Sequence, residues 1–314
     1  MKLEKTKEKN FISAVIYIHN DQEKISVFAM ELYRILKEKF LKFEMIFVDD
    51  ASTDQSAEII RTTTKQFEGC AVSILSMSYH QGVELSMNAG VDLSIGDFVY
   101  EFDSILKDYQ TELIEELYQV SLEGYDIVCA SPQNGQSIGS KLFYQIFNRF
   151  AHMEYMLQTE RFRILSRRAI NRVNSMSKTI PYRKAVYANC GLHLKNIRYK
   201  NEKAEKKKEK KDGREKRELA LNSLLLFTDI VYRITSVMTM AMMGITFIMA
   251  VYAMTVFLTG KPIEGWTTLV LFVSVSFFGL FAILTMIVKY QAVILDLNFK
   301  KKTYTFDGIE KISK

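Results

Sequence analysis

Short apolar runs and amphipathic stretches alternate over the first two hundred residues. FISAVIYI, Phe11 to Ile18, is apolar and β-branched with no polar alternation, the composition of a strand covered on both faces. His19, Asn20 and Asp21 interrupt it, and Ile25, Phe28, Leu32, Ile35 and Leu36 then recur at helical spacing. FEMIFV, Phe43 to Val48, predicts a second buried strand that stops at Asp49 and Asp50. Gln55 to Phe67 predicts a helix, AVSILSMS (Ala71 to Ser78) a third strand, and VELSMNAGVDLS a helix despite Gly90. DFVYEFD predicts a fourth strand ending at Asp103, Leu113 to Leu122 a helix, and YDIVCAS (Tyr125 to Ser131) a fifth strand. Repeated β–α units of this kind predict a Rossmann-like α/β domain, a mostly parallel sheet with helices on both faces.

Beyond Ser131 the pattern changes. GSKLFYQIFNRFAHMEYML predicts a long amphipathic helix, and FRILSRRAINRV a strand running into another helix. ELALNSLLLFTDIVYRITS alternates apolar and polar positions as a helix lying at an interface does. Two uncharged apolar runs follow, Ser236 to Leu258 and Thr267 to Val288, joined by the turn TGKPIEGW. At about 1.5 Å per residue each can cross a hydrocarbon layer of roughly 30 Å. Two in succession predict a C-terminal hairpin of two transmembrane helices.

Charge orients that hairpin. Arg198 to Arg217 holds eleven Lys or Arg against five acids, a net of +6, and the whole chain is also +6, so the remainder is balanced. Lys289 and Lys300 to Lys302 follow the second run, whereas the turn carries only Lys261 against Glu264. The positive-inside bias places both ends of the hairpin, and the N-terminal domain with them, on the cytoplasmic side of the cell membrane. MKLEKTKEKN has no apolar core of the signal-peptide kind, so no secretion signal is expected. Cys70, Cys129 and Cys190 lie far apart without CxxC spacing, which predicts buried thiols and neither a zinc site nor a disulfide framework. EKKKEKK mixes signs at short spacing and lacks interleaved aromatics, so it reads as a solvated loop near anionic headgroups and not as a nucleic-acid site.

Ligands of parallel sheets bind beyond the carboxyl ends of the strands. That directs attention to His19 to Asp21, Asp49 to Asp54 and Asp103 to Asp108. Within IFVDDASTD, Ser52 or Asp54 suffices to cap the next helix, but the adjacent carboxylates of Asp49 and Asp50 exceed what a local turn requires.

FISAVIYIHNDQEKI, EMIFVDDASTDQSAEII and LSMSYHQGVELSMNAGVDLSIGDFVYEFD, followed in order by EGYDIVCAS, KLFYQIFNRF and FRILSRR, resemble successive blocks of the family 2 glycosyltransferases. The nearest subgroup is the polyprenyl-phosphate sugar transferases, similar to dolichol-phosphate mannose synthase. The resemblance implies a GT-A fold that binds a nucleotide-sugar and transfers its sugar to a lipid-linked, polyprenyl-phosphate-type acceptor in envelope polysaccharide or glycolipid synthesis. It places Asp21 near the nucleotide and Asp50 on its base or ribose. Asp103 matches the first carboxylate of a metal-binding Asp-x-Asp motif for Mg²⁺ or Mn²⁺, and Arg163 an arginine near phosphate; these two are the expected catalytic pair. The implied partners are the nucleotide-sugar, membrane lipid and the lipid-phosphate acceptor, with no nucleic acid; a homo-oligomer is compatible with the residues. The corresponding organisation is a cytoplasmic GT-A-like domain at 1–197, a polybasic linker and juxtamembrane amphipathic helix at 198–235, two transmembrane helices at 236–288 and a cytoplasmic tail at 289–314.

Departures from the family pattern cluster at the chemistry. Where relatives read Asp-Ala-Asp-Leu-Gln-Asp-Pro, this chain reads DSILKDY, so that Ile105 replaces the second metal carboxylate. Lys107 replaces the usual glutamine with an ammonium that either takes the place of a metal charge or repels a metal, while Asp108 keeps the third acidic position. Tyr17 and His19 replace a proline and a tyrosine, and SYHQG replaces an arginine-containing block. A second reading follows: a catalytically degenerate homologue serving as membrane scaffold or regulatory partner.

Overall fold

The computed structural model describes residues 7–134, 138–151, 155–176, 182–201, 220–224, 228, 233–235, 237–242, 244–245, 248, 265–299 and 304–313. They belong to two compact units, one drawn from residues 1–148, 153–211 and 301–314, the other from 149–152 and 212–300.

The first unit is built on one sheet. Its strands are β1 (Ile12–Ile18), β2 (Phe43–Asp49), β3 (Ala71–Met77), β4 (Phe98–Phe102), β5 (Ile127–Pro132), β6 (Phe162–Ser166), β7 (Leu194–Tyr199) and β8 (Phe306–Ser313). Across the sheet they run β7-β5-β6-β4-β1-β2-β3-β8. β4, β1, β2 and β3 are mutually parallel, as is β7 with β5. β6 runs antiparallel between β4 and β5, and β8 antiparallel along β3. The five strands expected before residue 132 all form, within two residues of their expected ends.

The helices of this part of the chain are α1 (Ile25–Lys39), α2 (Ser56–Thr64), α3 (Val83–Leu93), α4 (Glu112–Leu122), α5 (Ile138–Phe150), α6 (Arg167–Met176) and α7 (Arg183–Ala188). Alternation along β1 turns Ile12, Ala14, Ile16 and Ile18 to one face, where they meet Phe28, Leu32 and Leu36 of α1, Ile60 of α2 and the core residues of α4. Each large side chain so buried contributes about 1.5–3 kcal/mol. Val15 faces the other way, toward α3. Gly90 is what lets α3 settle there: a Cβ at that position would lie 2.4 Å from Val15 Cγ1 and 2.6 Å from Val48 Cγ2. The glycine that weakens the helical pattern is thus the residue that sets the helix against the sheet. Cys70, Cys129 and Cys190 are buried and in no disulfide, as their spacing predicts.

Two strands escape the sequence pattern. β7 includes Arg198 and Tyr199, where a basic linker was expected to begin, and β8 is formed by residues expected to be a tail. The expected long helix after Ser137 is also shorter, α5 ending at Phe150.

In the second unit, α8 (Trp266–Phe299) is a 34-residue helix containing the second apolar run, with Phe277, Phe278, Phe281 and Val288 exposed. Among the described residues no helix is long and apolar enough to cross a membrane. The expected hairpin is therefore not found as such: most of 236–258 lies outside the described residues, and unbroken description of side chains in α8 covers only 275–291. The polybasic run at 202–219 lies outside them as well.

Candidate active site

The loops after β1, β2 and β4 gather at the carboxyl edge of the sheet, as the parallel topology requires. Two clusters of polar side chains form there, joined by the segment that enters α3.

Asp50 is the centre of the first cluster and is fully buried. Its Oδ1 accepts the backbone N–H of Gln81 at 2.8 Å. Its Oδ2 accepts the N–H of Gly82 at 2.9 Å and the Tyr17 hydroxyl at 2.9 Å, and lies 2.9 Å from His80 Nδ1. The Asp50 carbonyl oxygen meets His19 Nδ1 at 2.8 Å, and the rings of His19 and His80 pack with centroids 4.2 Å apart. Asp21, expected beside the nucleotide, is buried and turned to local work. Its carboxylate accepts the His19 N–H, and its own N–H donates to Ser56 Oγ at 2.8 Å, tying the β1 loop to α2.

Backbone strain marks these loops. Asn20 and Ala51 have φ of +53° and +52°, in the left-handed region that costs a side-chain-bearing residue roughly 1–2 kcal/mol. Asn20 offsets the cost by accepting Thr53 N–H at 2.8 Å and donating its own N–H to Ser52 Oγ at 3.0 Å, so the two loops clasp each other. Such conformations persist where surrounding contacts over-determine them, often at functional sites.

The second cluster is ionic. Glu101 and Asp103 project from the same face at the end of β4, and Glu101 lies opposite Arg163 in the antiparallel register with β6. Arg163 Nη1 donates to Glu101 Oε2, Nη2 to Asp103 Oδ2 at 2.7 Å, and Nε to Glu160 Oε2 at 3.0 Å. Arg183, at the start of α7, approaches the same carboxylates from the other side. Its Nη1 donates to Glu101 Oε2 at 2.9 Å, Nη2 to Asp103 Oδ1 at 2.6 Å, and Nε to Glu84 Oε2 at 3.1 Å. Tyr187 closes the cluster with a hydroxyl bond to Glu101 Oε1 at 2.7 Å. Both arginines are fully buried, whereas the Asp103 side chain keeps 18% of its surface. Burial resists charge on Asp103, but Arg163 and Arg183, with Lys184 behind them, outweigh it and hold the carboxyl well below the usual carboxylate range. Burial likewise opposes both guanidinium charges, and Asp103 and Glu101 more than restore them.

Glu84 connects the clusters. It stands two residues after Gly82, whose φ of +84° lets the chain turn into α3 while its N–H is donated to Asp50. One short segment thus carries the donors that hold Asp50 and the carboxylate that holds Arg183.

Asp103 and Arg163 are brought into direct contact. Arg163, however, is wholly engaged by protein carboxylates rather than presented toward a phosphate. Lys107 does not supply charge to Asp103. Its ammonium pairs with Glu31 of α1 and donates to Thr111 Oγ1 at 2.9 Å. Asp108 is a latch: Arg161 binds it through Nε and Nη2 at 2.9 and 2.6 Å, and the Tyr199 hydroxyl donates to it at 2.8 Å. Arg183, Glu84, Glu101 and Glu160 were not anticipated. Only Glu101 left a sequence signal, a lone glutamate inside the apolar strand FVYEF, where a buried carboxylate demands a partner.

The metal implied by the resemblance does not fit these residues. Ile105 has no ligand atom and is buried in the hydrophobic core, and both Asp103 oxygens are held by guanidinium groups. Among the described residues no three His, Cys, Asp or Glu side chains are gathered to hold a metal ion.

A family model, Glycosyl transferase family 2, matches residues 13–189, the span that supplies both clusters. The chain belongs to glycosyl transferase family 2. It is 28% identical to an uncharacterized glycosyltransferase, sll0501, of Synechocystis sp., the match spanning 57% of this chain and only 58% of that protein's length. A bactoprenol glucosyl transferase of Shigella phage SfV is 24% identical over 85% of this chain and 88% of its own, and an undecaprenyl-phosphate sugar transferase is also among the relatives. Among solved structures, the mannosyltransferase PcManGT of Pyrobaculum calidifontis, in complex with GDP-Man and Mn²⁺, aligns over 94% of this chain and 88% of its own with a TM-score of 0.51 at 12% identity. That likeness shows the GT-A-like fold.

Proposed function

We propose that this family 2 glycosyltransferase moves a sugar from a nucleotide-sugar to a lipid-phosphate acceptor of the polyprenyl type, at the cytoplasmic face of a membrane, in envelope polysaccharide or glycolipid synthesis. The observation that carries the reading is the reach of the bactoprenol glucosyl transferase match. At 85% of the chain it extends beyond the 13–189 domain into the apolar C-terminal region, which supports a likeness that goes further than the sugar-transfer domain. Membrane attachment is supported by the two uncharged runs, by the exposed phenylalanines of α8 and by the lysines that flank those runs in the sequence.

The chemistry asks little of the protein as a base. A phosphate monoester has its second ionisation near pH 6, so the acceptor oxygen is already anionic at neutral pH. It attacks the anomeric carbon from the face opposite the leaving group, the bond from that carbon to the diphosphate breaks, and configuration inverts. The remaining demand is electrostatic: charge accumulating on the diphosphate must be stabilised by preorganised cations and donors. In this reading Asp50 and the 81–84 segment shape the nucleotide end of the cleft, and Asp103 with its two arginines forms the end nearest the transferred sugar.

A second reading, a non-catalytic partner of an active transferase, is favoured by Ile105 and by the full engagement of Arg163 and Arg183 with protein carboxylates. Purified full-length protein in detergent, given labelled UDP- and GDP-sugars and a polyprenyl phosphate, decides between them. Labelled lipid that disappears with Asp103→Asn supports transfer; absence of both labelled lipid and donor binding overturns it.

A further inference from the structure

Three carboxylates converge on the Arg183 guanidinium: Glu84 Oε2 at 3.1 Å, Glu101 Oε2 at 2.9 Å and Asp103 Oδ1 at 2.6 Å. Arg163 takes the other oxygen of Asp103 and shares Glu101. With Glu160, four carboxylates face these two guanidiniums, and Lys184 lies close enough for its charge to act on Asp103. The side chains come from α3, β4, β6, the loop before β6 and α7, so the arrangement belongs to the tertiary fold and not to one flexible loop.

Such a ring of carboxylate oxygens offers the ligand type a hard divalent cation takes, but among the described residues it is spaced around a guanidinium and not gathered as a metal set. Here its centre is filled by a planar cation on the protein itself, with pairing at hydrogen-bond distance and no exposure of either arginine to water. We propose that Arg183, with Arg163, is the resident counter-ion of this site and permanently excludes a divalent cation from Asp103. A metal bridge between Asp103 and a donor diphosphate is therefore excluded, and donor binding is independent of Mg²⁺ and Mn²⁺. This rests on the donor-binding reading above only for its last step. Exclusion of the ion is a property of the folded chain.

The distinction between a charge role and a packing role lies in which variants acquire a metal. Full-length protein in detergent is titrated with MnCl2 alone and bound Mn²⁺ is followed by electron paramagnetic resonance, with circular dichroism to establish that each variant is folded. The unmodified chain binds Mn²⁺ no more tightly than Asp103→Asn. Arg183→Ala, which leaves Glu84, Glu101 and Asp103 without their cation, gains at least tenfold in Mn²⁺ affinity. Arg183→Lys, which keeps the charge but loses the planar fork, gains none. Mn²⁺ binding by the unmodified chain that Asp103→Asn abolishes overturns the proposal, as does a folded Arg183→Ala that gains nothing. Nucleotide-sugar binding is measured separately by calorimetry, in EDTA and in MnCl2. Binding seen only with Mn²⁺ overturns the proposal, whereas no binding in either condition counts against the transferase reading and leaves the Mn²⁺ titration to judge the ion.

Discussion

Arg163 and Arg183 lie twenty residues apart in the chain and meet on one oxygen, Oε2 of Glu101, while each takes a different oxygen of Asp103. Two like charges are held side by side in the interior because two carboxylates stand between them. Removing one partner of a buried pair leaves a desolvated charge uncompensated, at about 3–5 kcal/mol. Glu101→Ala should therefore destabilise the protein by about that amount in denaturant unfolding, and Glu101→Gln by less, since it retains acceptor oxygen and shape.

The same pairing makes stability depend on acid. Asp103 has a folded pKa below its unfolded value of about 3.9, so its contribution is complete above that value and is lost as pH falls toward the folded one. Unfolding free energy measured between pH 7 and pH 2.5 should drop below about pH 4, and Asp103→Asn should be less stable at pH 7 but show a shallower drop.

Asp50 tests the other cluster. Asp50→Ala removes the acceptor for the Gln81 and Gly82 N–H groups and the Tyr17 hydroxyl, and each buried group left unsatisfied costs about 1–3 kcal/mol. Expected outcomes are a lower Tm and a weaker calorimetric affinity for the nucleotide-sugar. Tyr17→Phe, which removes one bond and leaves both backbone donors satisfied, should be several times milder.

How much of this was legible in the sequence differs between the backbone and the site. Strands covered on both faces announce themselves as uninterrupted apolar runs, so β1 to β5 and the parallel plan could be read directly. β8 could not: FDGIEKIS has little apolar character because it pairs at a sheet edge, and its partner β3 lies more than two hundred residues away. The site divides along the same line. Asp50, Asp103 and Arg163 stand at strand ends that pattern and family blocks locate, whereas Arg183 reaches Asp103 across 80 residues of sequence, through α7, which no periodicity marked. Lys107 lies away from its expected place for a related reason. Local spacing places its ammonium near Asp103, but Glu31 on α1 offers it a closer partner.

The edge strand carries its own expectation. Thr305, just before β8, is clamped by Gln81, whose side-chain carbonyl accepts the Thr305 N–H at 3.0 Å and whose side-chain amide donates to the Thr305 carbonyl. Gln81 also gives its backbone N–H to Asp50. Truncation after residue 303 opens the β3 edge and frees that clamp, each lost ladder bond costing about 1 kcal/mol. Hydrogen exchange should accelerate along β3 and at Gln81 and Gly82, and leave β5 and β6 unchanged.

The transferase assignment itself is tested most directly by sugar transfer from labelled nucleotide-sugars to a polyprenyl phosphate, with full-length protein and EDTA present. Labelled lipid is expected in EDTA at a rate that added Mn²⁺ does not raise, and is lost with Asp103→Asn. No labelled lipid with any donor, in EDTA or in Mn²⁺, would contradict it.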